Sequence, residues 1–323
     1  MISSEVERVG AAFAELVDGG GLDLPLPGSG GTGARWRALA QIARRDLSVA
    51  RLAEGHADAV AILTELGGPT PPPGSRWGVW AAEPPSPVVR AERCGDGWSL
   101  SGTKPWCSGA HACTHALLTA RIGDERALFA AALTPGRAEP VEDTWPAVGM
   151  AGSDSGAVRL NAVPATLVGE PGDYVARPGF WHGAIAVAAC WYGGACGVAD
   201  TLLHKVRAGR AGPHALAHLG AVDASLHAAG VVLADAARAV DSDPLDAHGE
   251  ARGRAMRVRA VIEATCDDVL ARVGRATGAG PLGSAAEHAR RVADLTVYLR
   301  QSHAERDLAE LGQLLAADGT PSW

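Results

Sequence analysis

Two histidines, His182 and His303, are the side chains of this sequence best suited to move protons near neutral pH. An imidazole titrates close to pH 7, so it can deprotonate an alcohol or a phenol and later return the proton. His182 stands at the start of one predicted helix and His303 deep in the last one. Each also has a structural explanation, as a polar first-turn residue for His182 and as a helix-surface partner of Asp307 for His303. Both interpretations stay open at this stage.

The composition excludes several classes of protein. The chain has 323 residues with 47% hydrophobic and 20% charged residues, which predicts a globular protein of two or three domains. Its formal net charge of -7 gives no reason to expect a nucleic-acid partner. The six cysteines form no Cys-x-x-Cys pair and no histidines have zinc spacing, so we expect no metal site.

The compartment is expected to be the cytoplasm. The N-terminal residues 1–18 form an amphipathic acidic segment rather than a signal peptide. No run of eighteen apolar residues occurs, and the longest apolar stretch, near residues 184–190, is far shorter than a bilayer requires. We therefore expect a reduced, soluble, cytoplasmic protein with no membrane contact.

The first third of the chain has helical periodicity. Apolar residues recur at helical spacing in residues 5–16 and again in residues 35–66, with a Pro/Gly-rich loop at residues 24–33 between them. This predicts an N-terminal helical domain over residues 1–75. Glu54-Gly55-His56 interrupts the second helix, and it either faces a substrate pocket or lets another element approach at the glycine.

The middle third has the two-residue period of β-strands. Residues 88–93 and 98–103 flank an Asp-Gly turn, which is a strong hairpin signal. Residues 117–121 and 126–133 repeat the arrangement, and a third pair, 158–160 and 166–168, is separated by a predicted turn at 161–164. Short antiparallel strands at this spacing predict a central antiparallel β-barrel over residues 76–177.

The last part of the chain is predicted to be helical throughout. Four segments, at about 180–207, 213–240, 245–278 and 283–316, are separated by Gly- and Pro-rich breaks. They predict a C-terminal four-helix bundle over residues 178–323 and an α+β fold for the whole chain. Gly193 and Gly194 lie inside the first of these helices, which indicates close approach of another helix, a subunit or a ligand.

Two motifs resemble those of the acyl-CoA dehydrogenase family. Residues 97–110 read Gly-Trp-Ser-Leu-Ser-Gly-Thr-Lys-Pro-Trp-Cys-Ser-Gly-Ala, similar to the family's strand-turn-strand signature. Residues 148–158 contain Met-Ala-Gly-Ser-Asp before a strand and a Val-Pro, which looks like the family's Met-Gly-x-x-Gly-Ser segment. Helices, barrel and helical bundle follow in the family's order, and the resemblance covers residues 35–316.

The resemblance implies an FAD cofactor and assigns residues to it. The indole of Trp106 would cover the isoalloxazine ring and the hydroxyl of Ser108 would bond near N5, with Cys107 between them. Hydride transfer to N5 requires such a water-excluding wall and a polar group at the ring edge. By themselves, Trp106 could equally be a barrel core residue, Ser108 a turn residue and Cys107 a small apolar strand residue.

The chain departs from the family at its other cofactor-binding segments. Where the family has Thr-Glu-Pro and a Gly-rich loop, this chain has Ala82, Glu83, two prolines and Ser86, whose hydroxyl could still donate. The family's Arg-x-x-Phe-Gly stretch, which meets the FAD pyrophosphate from a neighbouring subunit, is replaced by a segment with Arg207 and Arg210 but no Phe. These two arginines are candidate phosphate ligands, and a solvated helix end explains them equally well.

The family's catalytic glutamate is missing. Residues 298–307 lack the Tyr-Glu-Gly-Thr motif, and residues 180–198 contain no carboxylate. Because loss of a positioned base costs roughly 10²–10⁴-fold in rate, acyl-CoA dehydrogenation cannot be assumed.

Three functions therefore stay open. The first is a flavin-dependent oxidoreductase that transfers hydride from a non-standard small molecule. The second is a two-component monooxygenase that uses reduced flavin and O₂, in which His182 or His303 would handle protons. The third is an inactive scaffold protein. The resemblance also implies a homodimer or homotetramer, and either a flavin reductase or an electron-transfer protein as partner.

Overall fold

The computed structural model describes residues 3–318 and begins with three helices. They are α1 (Ser4–Asp18), α2 (Thr32–Arg45) and α3 (Leu47–Glu65). The single helix predicted for residues 35–66 is therefore two, and the break lies at Asp46, whose backbone is extended. Oδ1 of Asp46 accepts a hydrogen bond from the backbone N–H of Val49 at 3.0 Å. Asp46 thus caps the start of α3, which an aspartate does well.

Seven strands follow within the described part of the chain, and five of them close into a barrel. They are β1 (Trp77–Trp80), β2 (Val89–Cys94), β3 (Gly97–Lys104), β4 (His115–Ile122), β5 (Glu125–Ala132), β6 (Ala138–Val141) and β7 (Ala157–Val168). The closed order is β4-β2-β3-β7-β5, with β5 pairing back to β4, while β1 and β6 lie outside this ring. The barrel is confirmed but is not wholly antiparallel, because β1 and β2 each pair with β4 in parallel.

The first two predicted hairpins are confirmed and the third is wrong. β2 pairs with β3 and β4 with β5, each across a tight turn. Residues 161–164, predicted as a turn, lie inside the continuous strand β7, which pairs with β3 on both sides of them. Ala162 has a left-handed φ of 49° and its N–H donates to Ser101 Oγ at 3.1 Å. A local irregularity with a register shift, rather than a reversal of the chain, occupies these residues.

Helix α3 covers one outer face of the barrel. Its apolar side packs on strands β1, β4, β5 and β7, where side chains alternate between the barrel interior and this face. Full burial of such side chains stabilises the fold by roughly 1.5–3 kcal/mol each. The cluster consists of Ala59, Ile62, Leu63, Trp77, Leu117, Leu128, Ala130 and Val168.

The rest of the described chain is helical, as predicted, but the four-helix bundle is not confirmed. The helices are α4 (Asp173–Ala176), α5 (Pro178–Arg207), α6 (Pro213–Ser242), α7 (Ala251–Thr277), α8 (Gly280–Ser284), α9 (Ala286–Tyr298) and α10 (Glu305–Asp318). The predicted helix 283–316 is interrupted before α10. There, Ser302 Oγ accepts from the N–H of Ala304 at 3.1 Å, and Ala304 has a left-handed φ of 47°.

The two glycines of α5 meet two neighbouring helices, Gly193 facing α2 and Gly194 facing the first residue of α3. A Cβ added at Gly193 would lie 2.1 Å from the carbonyl oxygen of Ala40, and one at Gly194 would lie 2.8 Å from the Leu47 side chain. Of the three alternatives that the sequence left open, another helix is the one observed. Two helices can approach this closely only where a side chain is missing.

The chain divides into two compact units, each made of two stretches. The first unit comprises the residues up to Leu24 and Arg51–Phe180, and so contains the barrel. The second comprises Pro25–Ala50 and the residues from Trp181 onward, and contains most of the helices. The division into domains 1–75, 76–177 and 178–323 stays a prediction.

Two helices are long and apolar enough to cross a membrane by length and composition alone, namely α5 and α6. The apolar window of α5 is 72% buried, as in the core helix of a folded protein, whereas that of α6 is 17% buried. Within residues 3–318, no group of three or more His, Cys, Asp or Glu side chains has the geometry of a metal site.

Candidate functional site

Two segments of the first unit are joined through their backbones and carry the candidate site. The N–H of Cys107 donates to the carbonyl of Gly156 at 2.7 Å, and the N–H of Gly109 donates to that of Ser153 at 2.8 Å. The N–H of Ala110 donates to Asp154 at 3.2 Å. We call residues 105–113 and 150–157 together the paired loop. These bonds hold both of the motifs that the sequence singled out in one rigid structure.

Trp106 presents its indole on the surface of the paired loop. The side chain is 53% exposed, although a tryptophan is usually mostly buried. Its φ of 56° is a left-handed conformation that is strained for a bulky residue. Residues held in this way concentrate at functional sites, where the surroundings impose the conformation. Of the two readings of Trp106, a buried core residue is excluded.

Ser108 lies two residues further on and is nearly buried. Its Oγ is 2.8 Å from Ser155 Oγ and 3.2 Å from Nε of Arg51, which donates to it. Ser155 Oγ is in turn 2.8 Å from Ser153 Oγ. The indole N–H of Trp80 donates to the Ser108 carbonyl at 3.0 Å. Both the hydroxyl and the backbone of Ser108 are therefore fixed in place.

Arg51 brings a largely buried cation to this hydroxyl. The guanidinium forms a salt bridge with Glu54 on the same helix, and the Glu54 side chain is 3% exposed. Both groups are therefore desolvated and hold each other in position. A shallow recess beside them is lined by Arg51, Leu52, Gly55, Trp77, Gly78, Val79, Ser108 and Cys113.

The Glu54-Gly55-His56 interruption of α3 is explained by a strand. A Cβ at Gly55 would lie 3.9 Å from the backbone nitrogen of Val79, so the glycine faces β1. Nδ1 of His56 accepts a hydrogen bond from the N–H of Trp77 at 3.2 Å. The glycine admits a neighbouring element, and the histidine binds its backbone. Glu54 forms a salt bridge with Arg51, which is one of the residues that line the recess.

Cys107 is a buried structural residue of the paired loop. The side chain is fully buried, and its Sγ donates to the carbonyl of Lys104 at 3.1 Å. Burial raises the pKa of the thiol well above its usual range. A protonated thiol is a poor nucleophile, so Cys107 shapes the loop without supplying a reactive group.

The loop after β1 carries three of the predicted cofactor ligands. Ala82 and Ser86 are exposed, and Glu83 accepts a hydrogen bond from Nε of Arg126 at 2.6 Å. Glu83 is thus engaged with a barrel arginine. The exposed hydroxyl of Ser86 is accessible to a ligand.

The other predicted site residues belong to the second unit. His182 is buried near the start of α5, where it was expected. His303 is exposed and lies in the break before α10, so its predicted position deep in the last helix is wrong; its Nδ1 is 3.2 Å from Asp307 Oδ1, the expected partner. Arg207 ends α5 and Arg210 follows it, and both are exposed.

Sequence reasoning missed Arg51 and the two hydroxyls behind Ser108. Ser153 and Ser155 lie inside the second motif, but strand periodicity assigns no role to residues in a loop. The Arg51–Glu54 spacing of three residues on a helix was a usable signal for an ion pair. Nothing in the local sequence connects Arg51 with Ser108, because 57 residues separate them.

A further pair in the paired loop was also unexpected. Nδ1 of His111 lies 2.9 Å from Oδ2 of Asp154, which also accepts the backbone N–H of His111 at 2.7 Å. The carboxylate thereby orients the ring and fastens the two halves of the paired loop together.

Comparisons with known proteins identify the fold. No protein-family model matches the sequence, and neither does any curated protein. TdsC from Paenibacillus sp. A11-2, a dibenzothiophene monooxygenase solved with FMN and indole, shares the structure with a TM-score of 0.76 and 19% identity. The similarity covers 98% of this chain and 97% of TdsC.

Other solved structures agree. KijD3, in complex with FMN and a dTDP-linked amino sugar, has a TM-score of 0.75 and 18% identity over 98% of this chain and 92% of its own. The 3-HSA hydroxylase from Rhodococcus sp. RHA1 has a TM-score of 0.73 and 16% identity over 100% of this chain and 98% of its own. Identities this low establish the architecture alone. This chain therefore has the fold shared by acyl-CoA dehydrogenase-like flavoproteins.

Proposed function

We propose that this protein is a flavin-dependent monooxygenase that binds reduced flavin and oxygenates a small molecule with O₂. The main observation that supports this proposal is the half-exposed indole of Trp106, which a strained backbone holds close in sequence to the hydrogen-bonded hydroxyl of Ser108. The shared fold supports the proposal, since TdsC and KijD3 were both solved with FMN. TdsC is named a monooxygenase and another neighbour a hydroxylase.

The residues of the paired loop fit the ring of a flavin. An isoalloxazine is flat and largely apolar, so it needs a planar wall, which an exposed indole supplies. Its edge is polar, and Ser108 Oγ, beside the Arg51 guanidinium, gives a polar contact at the margin of that wall. These residues would hold the ring that FMN and FAD share. Ser86, and Arg207 and Arg210 from a neighbouring subunit, are the candidate phosphate ligands that the resemblance implies.

Reduced flavin supplies two electrons to O₂, so that one oxygen atom enters the substrate and the other leaves as water. The protein has to exclude bulk water, orient the substrate and handle protons. The carboxylate of Glu54 is held in a salt bridge with Arg51 and is not presented as a base. We assign proton handling to His182, which is buried, with exposed His303 as the alternative.

Hydride transfer from substrate to a bound FAD is the second candidate function. The observation that favours it is the match of residues 97–110 to the dehydrogenase signature. The two candidates need different partners, because oxygenation requires a flavin reductase and dehydrogenation an electron acceptor.

We also propose that the protein assembles as a homodimer or homotetramer. The exposed apolar surface of α6 supports this, because exposed apolar surfaces of this kind mark protein–protein interfaces. A single monomeric species of about 33 kDa in analytical ultracentrifugation would contradict it.

The experiment that tests the function is an anaerobic titration with FMN and FAD, each in oxidised and reduced form. O₂ uptake and product analysis would follow, with indole as the probe substrate. An oxygenated product that requires reduced flavin supports the monooxygenase. Reduction of a bound flavin by substrate without O₂ supports the dehydrogenase. If no flavin binds in either oxidation state, both functions are wrong and the inactive scaffold is left.

A further inference from the structure

The hydroxyl groups behind Trp106 form a hydrogen-bonded chain whose direction follows from counting protons. Ser153 Oγ lies 2.7 Å from the carbonyl oxygen of Met150, which carries no proton, so Ser153 must be the donor. A serine hydroxyl has one proton. Ser153 can therefore only accept in its 2.8 Å contact with Ser155.

The same count fixes the role of Ser108. Because Ser155 gives its proton to Ser153, the 2.8 Å contact between Ser155 and Ser108 requires Ser108 to donate. The Nε–H of Arg51, which can never accept, donates to Ser108 Oγ at 3.2 Å. The Ser108 hydroxyl has then used its proton and one of its two acceptor sites. What it retains is a single acceptor site.

We propose that this directed chain makes the site selective for reduced over oxidised flavin. The inference rests on the proposed function, with the Ser108 hydroxyl at N5 of the ring as the sequence resemblance implies. In reduced flavin, N5 carries a hydrogen and donates it, which matches the one acceptor site that remains on Ser108. Oxidised N5 carries a lone pair and accepts, so it would face another lone pair. A hydroxyl that donates would suit oxidised N5, whereas the observed contacts leave Ser108 only as an acceptor.

Arg51 is the positioning residue of this arrangement. It stands at the head of the chain, and its salt bridge with buried Glu54 fixes its orientation. For Ser108 to turn its proton outward, Ser155 and Ser153 would have to lose or reverse their bonds. The carbonyl of Met150 cannot donate, so a full reversal is impossible. The direction of the chain is thus set at one end by the Met150 carbonyl, which can only accept, and at the other by the Arg51 guanidinium, which can only donate.

The test compares dissociation constants for reduced and oxidised FMN, measured anaerobically, in the wild type and in Ser155→Ala. Removing the Ser155 hydroxyl frees the Ser108 proton to point outward. We expect the wild type to bind reduced FMN more tightly, and Ser155→Ala to shrink that preference roughly fivefold to tenfold, as one neutral hydrogen bond is exchanged. A tenfold change would lower the two-electron midpoint potential of bound flavin by about 30 mV.

Matched variants separate this effect from structural damage. Ser101→Ala removes a hydroxyl on β3 that accepts from the Ala162 N–H, away from the paired loop, and it should leave the preference unchanged. Ser155→Thr keeps the hydroxyl and should retain the preference. Arg51→Lys retains a cationic donor and should preserve more of the preference for reduced FMN than Arg51→Met. If the methionine variant does not fold, the serine variants alone test the inference.

The outcomes distinguish this inference from the proposed function. If neither flavin binds the wild type, the proposed function fails and the selectivity fails with it. If flavin binds but the wild type does not prefer the reduced form, or Ser155→Ala keeps the full preference, the directed chain is wrong while flavin binding stands.

Discussion

Gly193 of α5 lies directly against the carbonyl of Ala40 in α2, with room for no side chain between the two helices. Gly193→Ala would place a methyl group 2.1 Å from that oxygen, which the helices can relieve only by moving apart. We expect a loss of roughly 1–3 kcal/mol or more in the free energy of unfolding.

The control for this prediction is Gly220→Ala in the exposed part of α6, where an added Cβ meets nothing within 4 Å. There, the better helix propensity of alanine should stabilise the protein by roughly 0.5–1 kcal/mol. Urea denaturation of both variants gives the comparison. Equal effects of the two substitutions would show that α2 and α5 do not pack as described.

Asp46 should decide where α3 begins. Its carboxylate accepts the N–H of Val49 at 3.0 Å, so Asp46→Ala should cost about 1 kcal/mol of stability. Asp46→Asn keeps an acceptor and should retain most of the stability that the cap contributes. Chemical denaturation of the pair tests this, and an alanine variant as stable as the asparagine variant would contradict the capping role.

Lys104 should make stability depend on pH in the alkaline range. Burial lowers the pKa of its ammonium group from 10.5 to about 8 in the folded protein. Between these values the unfolded chain binds more protons than the folded one, so this group makes stability rise with pH from about 8 to about 10.5.

The variant that isolates this contribution is Lys104→Met. The free energy of unfolding of this variant should not rise between about pH 8 and pH 10.5. The difference in unfolding free energy between wild type and variant should therefore change by at most about 3 kcal/mol across that range. Unfolding free energies at several pH values provide the measurement. Parallel pH profiles for the two proteins would show that the ammonium group is not held as the structure indicates.

Strand pairs and long helices could be predicted from the sequence because their signals are local. The turns at Gly95-Asp96 and Gly123-Asp124 are short and polar, and both hairpins form. The breaks at Asp46 and Ser302 were missed because apolar spacing continues through them. Yet both had a signal, since Asp46 is a capping residue and Ser302 with Glu305 forms the Ser-x-x-Glu pattern of a helix start.

The candidate site likewise has one part that could be predicted from the sequence and another that could not. The motif containing Trp106 and Ser108 could be found in the sequence, because its residues are contiguous. The contact between Arg51 and Ser108 could not, since it exists only once α3 has docked on the barrel. The turn predicted at residues 161–164 failed because Asn and Pro, common in turns, also occur at strand irregularities.

The most direct test of the account is the affinity of Trp106 variants for reduced FMN under anaerobic conditions. The ring of Trp106 is half exposed, so Trp106→Ala should leave the fold intact while weakening flavin binding at least roughly tenfold, and Trp106→Phe should keep most of the affinity. Leu245→Ala, at another exposed apolar residue, is the control and should bind like the wild type. Flavin binding by Trp106→Ala that equals the wild type would contradict the account.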